Sequence, residues 1–198
     1  MESLSTLALT LGTGWASGLN LYATVLTLGI AGLTGAVTLP PDLQVLQSPW
    51  VIAAAALMYA INFFADKIPA VDSLNDFVHT FLRIPAGALL AAGAVGHADP
   101  VMMVVAGLVG GTLAAGTHAT KTGTRIVANA SPEPFSNIAL SFAEDIAVFG
   151  GLWLALKHAV VFLGLLAVVI VIMLWLLPKM LRLVFGLFRR VTGRAKAA

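Results

Sequence analysis

Cysteine is absent from the 198 residues, and Asp, Glu, Lys and Arg together make up only 10% of them. The first absence excludes disulfides and thiolate metal sites. The second excludes an ordinary soluble domain, in which about 25% of residues are charged. With 59% hydrophobic residues and a mean hydropathy of +0.96, the chain reads as an all-α integral membrane protein. No long polar stretch is present either, so there is no room for a soluble catalytic domain. The net charge is only +2, and the basic surplus falls in residues 179–198, so no nucleic-acid partner is expected. The opening MESLSTLALTLGTGW has no basic segment ahead of its apolar run and reads as the start of a first span, not a cleaved signal.

At about 20 residues per crossing, the length fits one six-span membrane domain over residues 1–178, with a basic amphipathic cytoplasmic tail over 179–198 that suits anionic lipids. The spans fall at 7–36, 50–65, 72–96, 101–127, 138–156 and 159–177, and the sixth is purely apolar. Pro69 and Pro85 predict broken or kinked helices around residues 66–85. Gly107 and Gly111 have the GxxxG spacing that lets backbones approach closely, and a homo-oligomer built on such packing is one expectation.

The polar residues that remain are patterned. The stretch from Asn62 to Arg83 holds five of the twenty Asp, Glu, Lys and Arg residues, plus a His. On a helix, Asp72, Asp76, His79 and Arg83 follow the i, i+4, i+7, i+11 rule and form one stripe. His118, Lys121 and Arg125 form a basic stripe on span 4. Asn137, Ser141 and Glu144 share a face of span 5, with Asp145 beside it. On span 1, Thr13, Ser17, Asn20, Thr24 and Thr27 make a hydroxyl-and-amide face, which belongs against protein because polar groups in lipid need internal partners. Acids inside spans are costly, by at least about 2.5 kcal/mol each on insertion scales, and are functional candidates for that reason. Glu144, well inside span 5, is the best candidate among them.

Placing the N-terminus in the cytoplasm puts Lys67, Arg83, Lys121, Arg125 and the tail inside and leaves only Lys157 outside, a strong positive-inside bias. Both termini are then cytoplasmic. The halves 7–97 and 101–178 also show local likeness. ASGLNLYAT sits beside AAGTHATKT, with Asn20 opposite His118. FADKI sits beside FAEDI, with Asp66 opposite Glu144 and Lys67 opposite Asp145. Three spans per half would make a 3+3 inverted repeat, a pointer to secondary transporters when broken polar helices lie near its interface.

The strings LNLYATV, FFADKIPAVDS, VHTFLRIPAGALLAAGA, GTHATKTGTR and SPEPFSN with AEDIAVFGGLWLAL together resemble a bacterial membrane family, domain of unknown function 4126. The resemblance covers nearly the whole chain and implies a six-span domain in the bacterial cytoplasmic (inner) membrane. More distantly, A-D-K and its partner E-D are similar to the paired E-x-G-D-[KR]-[ST] motifs of six-span cation/proton exchangers. The first Glu and the Gly of that motif are missing, and Asp145 stands where it has a base.

Three functions follow as expectations. The first is a small transporter or channel with ion-coupled movement of a small ion or solute between spans 1, 2, 4 and 5. Asn20, Asp66, Lys67, His118, Lys121, Glu144 and Asp145 would carry it. The second is a metal-dependent enzyme on a lipid phosphate, in which Asp72, Asp76 and His79 hold a divalent cation (Mn, Mg or Ca) and Arg83, Lys121 and Arg125 bind the anion. No nucleophile and base pair stands at catalytic spacing, which weighs against an enzyme. The third is an assembly protein whose ion pairs only lock helices together.

Overall fold

The computed structural model describes residues 2–96, 99–129 and 135–195, without the side chains of residues 2, 69, 70, 72–74, 129 and 183–195. Its elements are α1 (Glu2–Leu33), a 3-10 helix (Pro41–Gln47), α2 (Pro49–Ala65), α3 (Pro69–Ala94), α4 (Pro100–Asn129), α5 (Phe135–Lys157) and α6 (Ala159–Ala195). Five helices are long and apolar enough to cross a membrane, or six when the 3-10 helix and α2, bent by 68°, count as one span. The protein is a multi-pass, all-helical membrane protein.

Local chemistry explains most boundaries. α3 starts at Pro69, three residues before the expected start of the span at residue 72, because proline's fixed φ and missing N–H suit the first helical position. It runs through Pro85 without ending and stops ahead of Gly96, whose φ of 64° provides the left-handed residue that closes a helix. α6 likewise continues through Pro178 to Ala195, so the tail is an extension of the sixth helix. The amphipathic face expected for that tail falls largely on side chains outside the described residues.

The first helix departs from the expected straight span. At Asn20 the backbone is extended (φ −151°, ψ 99°), and two helical arms meet there. Along the first arm, Gly12 packs near Ala155 at the far end of α5, and Asn20 reaches Asp145 well down the same helix. Past Asn20 the order reverses. Tyr22 meets His79, Val25 shares a groove with Leu90, and Leu28 joins Leu9 in one apolar cluster with Leu43, Leu90 and Ala94. Just beyond the second arm, the Ala36 carbonyl accepts a hydrogen bond from Lys157, again at the far end of α5. Both arms therefore open toward the same end of the bundle, and α1 is a re-entrant hairpin with its tip at Asn20.

This corrects the expectation of a straight first span. The internal repeat also loses its matched elements. ASGLNLYAT lies at the hairpin tip whereas AAGTHATKT sits in the unbroken α4, and FADKI closes α2 whereas FAEDI lies inside α5.

Packing centres on α1, which touches α2 to α6. Trp15, Ala16, Ala23, Leu113, Val148, Leu152 and Phe162 form its main apolar core. A Cβ added to Gly14 would stand 2.7 Å from the Gly110 Cα, so the first arm and α4 meet backbone to backbone. Gly107 and Gly111 face Ala88 of α3 instead, which places their GxxxG spacing in a contact within the chain. Large apolar side chains cover the outside, among them Phe77, Phe81, Leu89, Val104 and Leu108. On α6, Val160, Leu165, Val168, Val171 and Ile172 are all exposed, as a lipid-facing wall requires.

Candidate functional site

A layer of buried charge crosses the bundle toward the end that carries the tail. Lys121 is its centre. Its Nζ stands 3.1 Å from Asp66 Oδ2, 3.1 Å from Glu144 Oε2 and 3.7 Å from Asp76 Oδ1, and it donates to the Leu19 carbonyl beside the hairpin tip. One turn on, Arg125 grips Glu144 with two bonds, Nε to Oε1 at 3.1 Å and Nη2 to Oε2 at 2.7 Å. Its Nη1 donates to the Asp66 carbonyl and to Asn137 Oδ1 at 2.8 and 2.9 Å. The paired, planar geometry is what a guanidinium offers and an ammonium cannot.

These contacts follow from helix periodicity. His118, Lys121 and Arg125 fall on one face of α4, and that face meets the end of α2, the early turns of α3 and the early turns of α5. Asp66 closes α2, and its carboxylate accepts from Asn62 and Asn75 at 3.2 Å each. At 1.5 Å per residue, Asp76, Lys121 and Glu144 lie about 10–14 Å along α3, α4 and α5 from the tail-side ends, Arg125 about 6 Å, and Asp66 at the end of α2.

A second set surrounds Arg83. Its Nη1 pairs with Asp76 at 3.1 Å and also meets His118 Nδ1 at 3.2 Å. Since arginine only donates, that Nδ1 accepts, and the imidazole proton is on Nε2. It goes to Thr80 Oγ1 at 2.8 Å, whose own hydrogen goes to the Asp76 carbonyl. His79 has the opposite tautomer. Its Nδ1 donates to the Asn75 carbonyl at 2.7 Å, so Nε2 accepts from the Tyr22 hydroxyl. The Arg83 Nε is buried without a hydrogen-bond partner.

The structure thus gathers Asp66, Asp76, Arg83, His118, Lys121, Arg125 and Glu144 into one connected network. Asn20 and Asp145 adjoin it at the hairpin tip, where Asn20 Nδ2 donates to Asp145 Oδ1 at 3.2 Å. Lys67 stands apart. Its ammonium bonds the Phe63 carbonyl and lies over the Phe63 ring, and burial pushes it below the ordinary lysine value against the pull of Asp145 and Asp66. The Asp72 side chain lies outside the described residues. Of the other two members of the expected metal trio, Asp76 faces Arg83 and Lys121 while His79 turns to Tyr22. Among the described residues no group of three His, Asp or Glu is placed to hold a metal ion.

Two parts of the sequence reading need correction. The hydroxyl face of α1 is buried, but Thr13, Ser17, Thr24 and Thr27 each bond a carbonyl three or four residues back in their own helix. Each hydroxyl thus spends its hydrogen on its own helix. The charged layer also takes Asp76 and Arg83 from α3, which the expected path between spans 1, 2, 4 and 5 omitted. Asn62, Asn75, Tyr22 and Thr80 were not singled out. Asn62 at four residues before Asp66, and Asn75 at four before His79, carried the helical-spacing signal that would have found the first two.

A cavity of about 310 Å³ between α1, α4, α5 and α6 reaches this layer from the side, and Lys121, Glu144, Thr117, Thr120 and Thr124 line it with Trp15.

A re-entrant hairpin set on a buried charged layer in a multi-pass helical bundle defines a polytopic membrane protein with an internal polar centre. The chain belongs to the family described as domain of unknown function (DUF4126), which matches residues 7–179. No curated protein and no solved structure matches it.

Proposed function

We propose that this protein is an ion-coupled membrane transporter whose working parts are the α1 hairpin and the charged layer at its tip. The observation that carries the reading is Lys121. One ammonium contacts Asp66, Asp76 and Glu144 and also holds the Leu19 carbonyl, so the ion pairs and the hairpin share a group. Broken helices whose ends meet charged groups inside the membrane are the recurring architecture of secondary transporters. Buried ion pairs contribute little net stability compared with apolar packing, so a layer this large suits a charge-handling role better than a purely structural one.

The positive-inside rule favours a cytoplasmic tail side, with Lys67, Lys121 and Arg125 toward it and Lys157 on the other face. The N-terminus then lies outside, and the bacterial inner membrane is the proposed location. The lipid-phosphate enzyme fits less well, because Arg83, Lys121 and Arg125 already contact carboxylates that a phosphate would have to displace.

The test uses purified protein in liposomes with imposed proton, sodium, potassium or manganese gradients, followed by ion-sensitive dyes with and without a solute panel. Dissipation of one gradient above that of empty liposomes, accelerated by a solute, is the expected result. Gradients that all persist as in empty liposomes overturn the reading. A melting temperature raised only by lipid phosphates would favour the enzyme.

A further inference from the structure

The charged layer is not evenly matched. Asp76 is paired by Arg83, Asp66 by Lys121 and Glu144 by Arg125, each in direct contact. Asp145 is the fourth carboxylate, 8% exposed, and among the described residues no cation pairs with it. Its Oδ1 accepts from Asn20 Nδ2, and its Oδ2 is buried without a hydrogen-bond partner. An anion left without a cation inside a membrane protein is costly, and a bound proton relieves it.

The surroundings select the proton over a metal cation. A cation needs several oxygen ligands, yet the nearest side chain offers an N–H, and the Asn20 amide oxygen already accepts from the Ala23 N–H at 3.1 Å. The other groups that face Asp145 are the Tyr59 hydroxyl and the charges of Asp66, Lys67 and Lys121, with Glu144 next to it in sequence. Lys121 is held by other carboxylates, and Lys67 by the Phe63 carbonyl.

Position gives the proton a consequence. Asn20 is where the arms of α1 meet, and its side chain both caps the second arm through Ala23 and donates to Asp145. We propose that Asp145 is the proton-binding carboxylate of this protein and that its protonation switches the hydrogen bonding at the hairpin tip. A proton taken from solution forms an O–H bond at Oδ2, and the carboxylic acid then has a hydrogen to donate where the carboxylate only accepted. Asn20 Oδ1, which accepts from the Ala23 N–H, has a second lone pair that can accept it. Asp145 thereby takes the place that sequence position alone gave to Glu144, which is locked by two bonds to Arg125.

The inference deepens the transporter reading, but its test requires no transport. Whole protein in lipid nanodiscs is titrated with acid while infrared difference spectra follow protonated carboxyl groups and hydrogen exchange follows the amides of residues 19–24. The expected result is a carboxylic band that rises in one transition, together with a change in exchange at the tip at the same midpoint. Asp145→Asn abolishes the band, Glu144→Gln keeps it, and Asp145→Glu restores it at a shifted midpoint. Should Asp145→Asn fail to fold, Asn20→Ala decides, because removing the Asn20 hydrogen bond to the carboxylate shifts the midpoint and keeps the band. A band that survives Asp145→Asn, one lost only in Glu144→Gln, one whose midpoint ignores Asn20→Ala, or tip exchange indifferent to pH overturns the proposal.

Discussion

The Lys121 ammonium and the Asp66 carboxylate stand 3.1 Å apart inside the bundle, although 55 positions separate them in the chain and they belong to different helices. Their side chains are 0% and 4% exposed. Neither charge has water as a substitute partner, and each is compensated only by the layer around it. The layer therefore behaves as a unit, in which removal of one member strands the others.

Lys121→Met takes a cation from Asp66, Asp76 and Glu144 at once while keeping an apolar stem of similar length. A loss of about 3–5 kcal/mol is expected, the range for stranding a buried charge. Reversible unfolding in detergent measures it. Adding Asp66→Asn to the same chain should recover part of the loss, and two losses that simply add would mean that the residues are not coupled.

Gly110→Val places bulk against Ala91 and the Gly87 carbonyl, on the seam between α3 and α4. Overpacking of this kind costs about 1–3 kcal/mol. Gly150→Ala is the control, since a Cβ there meets nothing within 4 Å. The same unfolding assay compares the two, and equal stability would show that the seam is looser than described.

Because the chain has no cysteine, single cysteines report topology cleanly. Ser5→Cys, Val45→Cys and Asp99→Cys should react with a membrane-impermeant maleimide from one side, and Lys179→Cys from the other. Ser5 and Val45 on opposite sides would show that α1 crosses the membrane and would remove the hairpin.

Asn20→Ala deletes the cap on the second arm, a loss of about 1 kcal/mol, and the bond to Asp145 with it. Hydrogen exchange should quicken over residues 21–27 and stay unchanged near Gly110. Asn20→Asp keeps a capping oxygen but sets a second acid against Asp145, so it should be the less stable of the two variants.

Much of the layer was legible as spacing. The 3.6-residue period put Asp76, His79 and Arg83 on one face and His118, Lys121 and Arg125 on another, and these faces do meet. Gly96 marked the end of α3 for the conformational reason that only glycine takes that φ readily. The hairpin was not legible. Helix breaks are read from proline and glycine, whereas α1 breaks at an asparagine, and Pro85 and Pro178 sit inside helices that continue.

The sequence by itself determined that the chain is helical, resides in a membrane and concentrates its charge toward the end that bears the tail. Those properties follow from composition and from periodicity over a few turns, which the backbone imposes wherever the helix is placed. Tertiary structure alone decided that α1 turns back at Asn20, that Lys121 is shared between Asp66 and Glu144, and that Asp145 is left as the acid without a cation. Each depends on which helix packs against which, and that is set by backbone approach along Gly14 and Gly110 and by pairing across long stretches of chain, neither of which leaves a local period to read.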